Sequence, residues 1–255
     1  MNKGIATRAY IPLRKEPAHQ SEMISQLLFG ETYDIIESGS RSWTRIRNHF
    51  DGYEGWTCSG TENLLDGKAA DTIRELKTII SNRKFTTLSA VSSGEQVVVS
   101  AGSPLYTDPV DASRVFAGQW FETAHPLESL SGPVSERLDF LAGQFLNCPY
   151  IWGGKSAFGT DCSGLVQTIF RILGHRISRD TSVQHKEGAT LNMLEKLFPA
   201  TWYSLMMSRG KSHMWGSFWI RNMFSIPQDT SVSIQLIPGA FITSTQDPVP
   251  INSAS

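Results

Sequence analysis

Short runs of alternating apolar and polar residues fill the first sixty positions of the chain. Residues 33–36 (Tyr-Asp-Ile-Ile) and 43–47 (Trp-Thr-Arg-Ile-Arg) alternate in this way, and Gly30 and the pair Asp51-Gly52 stand near their ends. A period of two indicates strands with one buried face, and glycine or aspartate beside them indicates turns. Several short strands this close together predict a small β-barrel.

The pattern is weaker between residues 66 and 130. Residues 95–100 (Glu-Gln-Val-Val-Val-Ser) predict one strand, and residues 116–121 (Phe-Ala-Gly-Gln-Trp-Phe) predict another. This stretch fits either a second small β unit or an elaborated linker.

After Pro133 the apolar residues recur every three or four positions, which indicates a helix. Ser135 is placed to cap this helix, and Pro149 follows its end. The apolar positions are Leu138, Leu141, Ala142 and Phe145.

A second helix is predicted from Ser163 or Gly164, after a glycine-rich loop at residues 150–159. Gly174 is a natural C-terminal cap, because glycine readily adopts the left-handed conformation that ends a helix. The apolar face of this helix consists of Leu165, Val166, Ile169, Phe170 and Leu173.

Composition describes a globular chain without a strong charge field. The 255 residues are 40% hydrophobic and 18% charged, and the formal net charge is -1. The length allows one large domain or two smaller ones. The balanced charge excludes a basic field that attracts nucleic acid or anionic membranes. No apolar run suits a membrane span or a secretory signal, so we expect a cytoplasmic protein.

The chain has three cysteines, Cys58, Cys148 and Cys162. An odd number argues against a disulfide framework and fits a reducing compartment. No cysteine and histidine residues have the spacing of a zinc site, so we expect neither a metal nor another cofactor. We interpret Cys58 and Cys148 as small buried apolar residues.

Cys162 differs from the other two because it falls at the first turn of the second predicted helix. A helix N-terminus has unpaired N–H groups and partial positive charge, which favour the nucleophilic thiolate over the thiol. The same N–H groups can stabilise an oxyanion. Position alone leaves open the alternative of a structural cysteine packed beneath the helix.

The first part of the chain resembles a bacterial SH3-like domain. The shared features are Pro-Leu-Arg at residues 12–14, the segment 21–31, Trp43 and above all Gly-Tyr-Glu-Gly-Trp at residues 52–56. The alternative is that these aromatic residues only fill the barrel core, and for Trp43 we adopt that interpretation.

Three motifs in the second half resemble the NlpC/p60 family of papain-like cysteine peptidases. They are residues 149–154 (Pro-Tyr-Ile-Trp-Gly-Gly), residues 161–166 (Asp-Cys-Ser-Gly-Leu-Val) and residues 179–184, which begin Arg-Asp-Thr and end in glutamine. Three motifs at the family's spacing are more specific than a lone Asp-Cys-Ser-Gly. An SH3-like domain in front of this catalytic domain is a familiar pairing in the family.

The resemblance implies an α+β fold, in which SH3-like β-barrel regions precede an incomplete papain-like NlpC/p60 domain. We expect an SH3-like domain at 1–65, a second β unit or linker at 66–130, the first half of the catalytic domain at 131–199, and an aberrant tail at 200–255.

The resemblance also implies a cysteine endopeptidase of peptidoglycan stem peptides. The usual bond joins γ-D-glutamate to a diamino acid such as diaminopimelate, and Cys162 would attack its carbonyl. The partners would be peptides of the type L-Ala-γ-D-Glu-diamino acid, without nucleic acid or membrane. A cytoplasmic enzyme of this kind would recycle wall peptides.

Several further residues match substrate-binding positions of the family. These positions are Tyr150, Trp152, Asp161, Ser163, Asp180 and Thr181. The two aromatic residues would line the pocket beside the nucleophile, and a carboxylate among the others would pair with the free amine of L-alanine. The alternatives are that Asp161 and Asp180 only cap helices and that Trp152 belongs to the core.

The resemblance stops at Pro199. A cysteine peptidase needs a histidine base and a polar group that orients it. The family takes them from a Thr-His-Val-Gly-Ile strand and a later histidine, which follow Gly-Asp-Leu-Val-Phe-Phe, and none of these motifs is present. Composition changes at the same point, because the last 56 residues contain only five charged residues.

A single lost base after the Pro199 codon explains this change. Codons for the tail, read one base out of the present frame, can give all three missing motifs in order. The family's base would then stand at Met214 and its partner at Ile226. His213 is the in-frame candidate for the base, although we interpret its position beside that slot as coincidence.

Two other functions stay open: a module that binds stem peptides without turnover, and the inactive product of a damaged gene. A shifted tail would leave the face around Leu165, Ile169 and Phe170 without its sheet. At ~25 cal/mol per Å², losing several hundred Å² of burial removes on the order of 10 kcal/mol, which is comparable to the stability of a domain. We therefore expect a stable barrel and an unstable peptidase region.

Overall fold

The structure is a computed structural model that describes residues 2–39, 42–58, 63–187 and 189–191. It also describes the course of three tail strands, Ser204–Arg209, Ser212–Ser217 and Val232–Leu236, but not their side chains. Met214 is described only as a strand position, and Ile226 and the junction at Pro199 lie outside the described residues.

The first unit is a seven-stranded antiparallel sheet that curls into an SH3-like barrel. Its strands are β1 (Lys3–Ile5), β2 (Tyr10–Arg14), β3 (Met23–Leu28), β4 (Thr32–Ser38), β5 (Trp43–Asn48), β6 (Glu54–Cys58) and β7 (Leu64–Leu65). They are hydrogen-bonded in the order β3-β2-β6-β5-β4-β1-β7. Both strands predicted here are present, and the burial of Trp43 (6% exposed) confirms that it belongs to the core.

The second unit begins with helix α1 (Gly67–Glu75) and continues as a six-stranded sheet. Its strands are β8 (Lys77–Ile80), β9 (Phe85–Ala90), β10 (Gln96–Ser100), β11 (Pro104–Thr107), β12 (Arg114–Phe116) and β13 (Trp120–Glu122), in the order β10-β9-β13-β12-β11-β8. The prediction of one strand over residues 116–121 was wrong, because Gly118, with a φ of +77°, turns the chain into a hairpin.

The two β units share a hydrophobic core. Ile5 and Phe29 of the barrel pack in one cluster with Leu88, Val99 and Phe121 of the second sheet. The Phe29 and Phe121 rings meet edge to face, with centroids 5.4 Å apart. The barrel therefore depends on the second unit for part of its buried surface.

The third unit contains the remaining three helices and the remaining strands. They are α2 (Val134–Gln144), β14 (Lys155–Ser156), β15 (Gly159–Thr160), α3 (Cys162–Ile172), α4 (Thr181–Glu187), β16 (Ala189–Leu191), β17 (Ser204–Arg209), β18 (Ser212–Ser217) and β19 (Val232–Leu236). The last four form an antiparallel sheet in the order β16-β19-β17-β18. Within the described part of the chain, no helix has the length and apolarity to cross a bilayer.

Both predicted helices are present, with different N-terminal boundaries. Helix α2 begins at Val134 with Pro133 as its N-cap, so the prediction that Ser135 caps it was wrong. Helix α3 begins at Cys162, one residue earlier than predicted. Gly174 follows its end with a φ of +89°, as expected for a glycine cap.

The apolar face of α3 is fully covered. Leu165, Ile169 and Phe170 are at most 5% exposed and pack in one cluster with Leu141 and Phe145 of α2. Strand β18 also lies against α3. The expectation that this face lacks a packing partner was therefore wrong.

Candidate active site

Cys162 is the first residue of α3 and is 8% exposed. Asp161 is the N-cap, with an extended backbone and a carboxylate that accepts the N–H of Gly164 at 2.7 Å. The predicted position of the cysteine at a helix N-terminus is thus confirmed. The partial positive charge of this terminus acts directly on the sulfur.

Asp161 also forms a buried ion pair with Arg179, and the shortest distance is 2.7 Å. The same guanidinium donates to the hydroxyl of Ser163 at 2.7 Å, and the Asp161 carboxylate accepts the N–H of Gly153 at 2.8 Å. Both oxygens of Asp161 are therefore occupied by groups of the protein. The pair joins three segments around Cys162: the glycine-rich loop, the start of α3 and the residues before α4.

The glycine-rich loop is pressed against the barrel. Gly153 has a φ of +77°, and a Cβ at this position would lie 2.2 Å from the carbonyl oxygen of Met23. Two residues later, the N–H of Lys155 donates to the Gln26 side chain at 3.0 Å. Only glycine fits this approach, so the barrel determines the course of the loop that leads to Cys162.

The two predicted pocket aromatics lie on this loop and reach the surface. Tyr150 is 44% exposed and Trp152 is 62% exposed, so Trp152 is not a core residue. The Trp152 indole N–H donates to the Glu22 carboxylate of the barrel at 2.7 Å. Burial raises the pKa of Tyr150 to about 12, and the negative charges of Cys162 and Asp161 act in the same direction, which indicates that the phenol is close to Cys162.

We call the surface around Asp180 and Thr181 the rim. Asp180 is exposed, directly follows Arg179 in the chain, and accepts the hydroxyl of Tyr53 at 3.0 Å. Burial and then the charge of Asp180 raise the pKa of Tyr53 well above its usual range, so the phenol stays a donor. Thr181 is the first residue of α4 and is half-buried.

His213 lies on strand β18, where it pairs with Ser208 of β17. This strand lies against α3 and α4, the helices that begin at Cys162 and Thr181. The side chain of His213 lies outside the described residues, so its part in the site stays a prediction.

A buried carboxylate of the barrel, Glu31, contacts both the glycine-rich loop and α3. Glu31 is completely buried and accepts two bonds from the Lys155 ammonium, at 3.0 and 3.1 Å. It also bonds the guanidinium of Arg171, in the last turn of α3. Burial opposes ionisation of Glu31, but the charges of Lys155 and Arg171 outweigh it and lower the pKa.

Sequence reasoning assigned no role to Glu22, Tyr53, Arg179 or Glu31. All four lie in segments that carry the family resemblance: Glu22 and Glu31 in the segment 21–31, Tyr53 in the Gly-Tyr-Glu-Gly-Trp motif and Arg179 at the start of the Arg-Asp-Thr motif. Among the described residues, no cluster of histidine, cysteine and carboxylate side chains has a geometry that could hold a metal ion. The three cysteines are all described, and none forms a disulfide.

Comparison with known families agrees with this arrangement. The profile of the bacterial dipeptidyl-peptidase SH3 domain matches residues 13–57, and the profile of the NlpC/P60 family matches residues 147–199. The two matches support an SH3-bearing NlpC/P60 peptidase, as the motifs predicted: residues 147–199 are similar to the NlpC/P60 family, and the segment similar to the SH3 domain precedes them. The α+β fold predicted from the sequence is confirmed.

Curated relatives include dipeptidyl-peptidase 6 of Lysinibacillus sphaericus, 28% identical over 67% of this chain and 69% of the relative. A γ-D-glutamyl-L-lysine dipeptidyl-peptidase of Bacillus cereus is 23% identical over 68% of this chain, which spans 57% of that protein. A Bacillus subtilis protein of the same name is 52% identical over 44 residues, which are 17% of this chain and 15% of that protein.

Solved structures show the same fold at low sequence identity. An NlpC/P60 family protein from Bacillus cereus superposes with a TM-score of 0.70 at 19% identity, over 84% of this chain and 86% of that one. An NlpC/P60 endopeptidase from Photobacterium damselae subsp. piscicida gives 0.63 at 15% identity, over 83% of this chain and 55% of that one.

Proposed function

We propose that the chain is a cysteine endopeptidase of peptidoglycan stem peptides, which hydrolyses the bond between γ-D-glutamate and a diamino acid such as diaminopimelate. The main support is the position of Cys162 at the N-terminus of a buried helix, within the matched NlpC/P60 segment. The names of two curated relatives, γ-D-glutamyl-L-lysine dipeptidyl-peptidases, support the γ-D-glutamyl specificity.

In the proposed reaction the Cys162 thiolate attacks the γ-carbonyl carbon of glutamate. N–H groups at the start of α3 stabilise the negative oxygen, and the C–N bond breaks to give a thioester and the amine of the diamino acid, which takes up a proton. Water then hydrolyses the thioester and releases the γ-carboxylate with the thiolate. The base that takes the thiol proton would be a histidine, and His213 on β18 is the candidate.

We infer that the free amine of the substrate binds at the rim near Asp180. Asp180 is exposed, and Tyr53 fixes one of its oxygens. The neighbouring Arg179 is bonded to Asp161, the residue before the nucleophile. One ion pair therefore links the rim to the nucleophile. In this proposal Thr181 and the pair Glu22–Trp152 complete the rim. Tyr150 lines the pocket. Asp161 and Ser163 hold the glycine-rich loop in position.

The alternative is a chain without turnover, either a stem-peptide-binding module or a frameshifted product. The match to the NlpC/P60 family ends at Pro199, the residue at which the hypothesis of a lost base begins the altered tail. Sequencing the gene across the Pro199 codon tests this hypothesis, and an intact frame relative to close relatives would refute it.

Turnover of L-Ala-γ-D-Glu-diaminopimelate, with release of L-Ala-γ-D-Glu measured by chromatography, tests the proposal. Three proteins are compared: the present chain, a version with the frame restored after Pro199, and Cys162→Ala in whichever is active. Activity of the present chain refutes the frameshift alternative. Activity of the restored version alone identifies this chain as an inactive product, and activity of neither refutes the proposed reaction. The L-lysine tripeptide tests the preference at the third position.

A further inference from the structure

A cavity of about 400 Å³ lies where the barrel, the second sheet and α3 meet. We call it the rear cavity, because it is at the opposite end of α3 from Cys162. Its lining includes Arg171, in the last turn of α3, and Gly174 and Arg176 directly after the helix. A volume of this size is within the range of pockets that hold small-molecule ligands.

The lining of the rear cavity combines apolar and basic side chains. The apolar and aromatic residues are Phe50, Ile80, Pro104 and Tyr106. The basic residues are His49, Arg171, His175 and Arg176. Such a combination suits a short carbon chain that ends in anionic groups.

Three cations surround the ring of Phe50. The guanidinium carbon of Arg171 lies 3.8 Å from the ring centroid, and the Lys155 ammonium and the Arg176 guanidinium each lie 5.8 Å from it. The C-terminal end of α3 offsets only about half of one charge. The three cations therefore keep an excess of positive charge unless other anions neutralise it.

The carboxylates nearby are already engaged. Glu31, the one carboxylate in the described lining, is fully buried and accepts bonds from Lys155, Arg171, the Asn48 amide and the Leu28 N–H. A carboxylate has about four acceptor positions, so these contacts use its capacity.

Asp34 stands behind the imidazole of His49, with 3.0 Å between Oδ1 and Nε2, and is not part of the lining. The excess of positive charge therefore points to an anionic ligand.

We propose that the rear cavity binds a small dicarboxylate, with its carboxylates on Arg171 and Arg176 and its carbon chain on Phe50 and Pro104. Acidic peptides that end in γ-glutamate, which the reaction proposed above would release, belong to this class. That identification rests on the proposed function, whereas binding of a simple dicarboxylate does not.

Calorimetric titration of the full chain with glutarate near pH 7 tests the proposal. We expect saturable binding that Arg176→Gln weakens by about tenfold or more, because a charge-assisted contact is lost. Arg176 is exposed and outside the hydrophobic cores, so the variant should fold. The matched control is Arg74→Gln on α1, whose partner is Asp71, and it should bind like wild type. Neutral glutaramide should not bind.

Absence of saturable binding, or equal binding by Arg176→Gln, would overturn the proposal. Asp180→Asn separates the rear cavity from the rim of the active site. The variant removes a negative charge that would repel glutarate at the rim, so unchanged glutarate binding supports the rear cavity, and tighter binding assigns glutarate to the rim and overturns the proposal. Glutarate binding by a chain that fails to cleave the tripeptide would leave this proposal intact and count only against the proposed reaction.

Discussion

Replacing Glu31 by glutamine removes one negative charge from a place where two buried cations depend on it. The side chains of Glu31, Lys155 and Arg171 are 0%, 2% and 8% exposed, so water cannot replace the lost partner. The amide oxygen of glutamine can still accept the Leu28 N–H, but its NH₂ group would face donors. The variant is thus isosteric, and it removes the negative charge together with one acceptor oxygen.

Removing one partner of a buried ion pair costs about 3–5 kcal/mol, because the remaining charge is left uncompensated. Here the carboxylate pairs with two cations that flank Cys162 in the sequence. Lys155 is in the loop before Cys162, and Arg171 is in the helix that begins there. For a chain of this length the loss corresponds to a fall in melting temperature of roughly 6–20 °C. Glu31→Gln should also lower kcat/KM, since both segments carry Cys162.

Urea and thermal unfolding followed by circular dichroism measure the loss. The matched control is Glu54→Gln, which removes a partly exposed carboxylate paired with Arg45 and Arg47 and should cost about 0–1 kcal/mol. A second variant, Glu31→Gln with Lys155→Met, removes one uncompensated cation and should recover part of the stability. A cost for Glu31→Gln no larger than that for Glu54→Gln would refute the reasoning.

The Glu31 carboxylate also makes the stability of the fold depend on pH. Its pKa in the folded chain lies below the reference value of 4.5, so its contribution is fully present above that pH and is lost as the pH falls further through the folded pKa. Between pH 7 and acidic conditions, wild type should therefore lose more stability than Glu31→Gln. Parallel curves for the two proteins would contradict this assignment.

Three other substitutions test individual contacts. Gly153→Ala should cost about 1–3 kcal/mol in urea unfolding because of its positive φ, whereas Gly67→Ala, with open space at the Cβ, should change stability little. Arg179→Lys cannot keep the forked contact with Asp161 and should lower kcat/KM by about tenfold or more, with a smaller change in KM. Tyr53→Phe should raise the KM of a tripeptide with a free amine by about tenfold and leave that of the N-acetylated tripeptide unchanged.

The sequence predicted the features that depend on local pattern. Alternation located β4 and β5, and the helical spacing with Gly174 located α3 within one residue at its start. Cys162 was singled out because the motifs around it resemble those of the NlpC/p60 family, whereas its place at a helix N-terminus alone left a structural role open. The prediction for residues 116–121 was wrong because Gly118 stands between two aromatic residues that favour strands. The same pattern fits the interior of one strand and the turn between two strands.

Contacts between distant segments could not be predicted in the same way. Glu31 is 124 positions from Lys155 and 140 from Arg171, and each of the three residues alone has the composition of a surface charge. The bonds between Tyr53 and Asp180 and between Trp152 and Glu22 span similar distances. Spacing along the chain contains no information about such pairs until the packing of the three units is known.

The position of Glu31 also constrains the order of events during synthesis. A ribosome adds about 5–20 residues per second, so roughly 7–28 s separate the appearance of Glu31 from that of Arg171, 140 residues later. During this interval the barrel has a carboxylate without its cations, and water must solvate the face that later contacts α3. We expect the segment that contains α3 to pack onto this face afterwards, so that the barrel anchors the end of the helix that begins at Cys162.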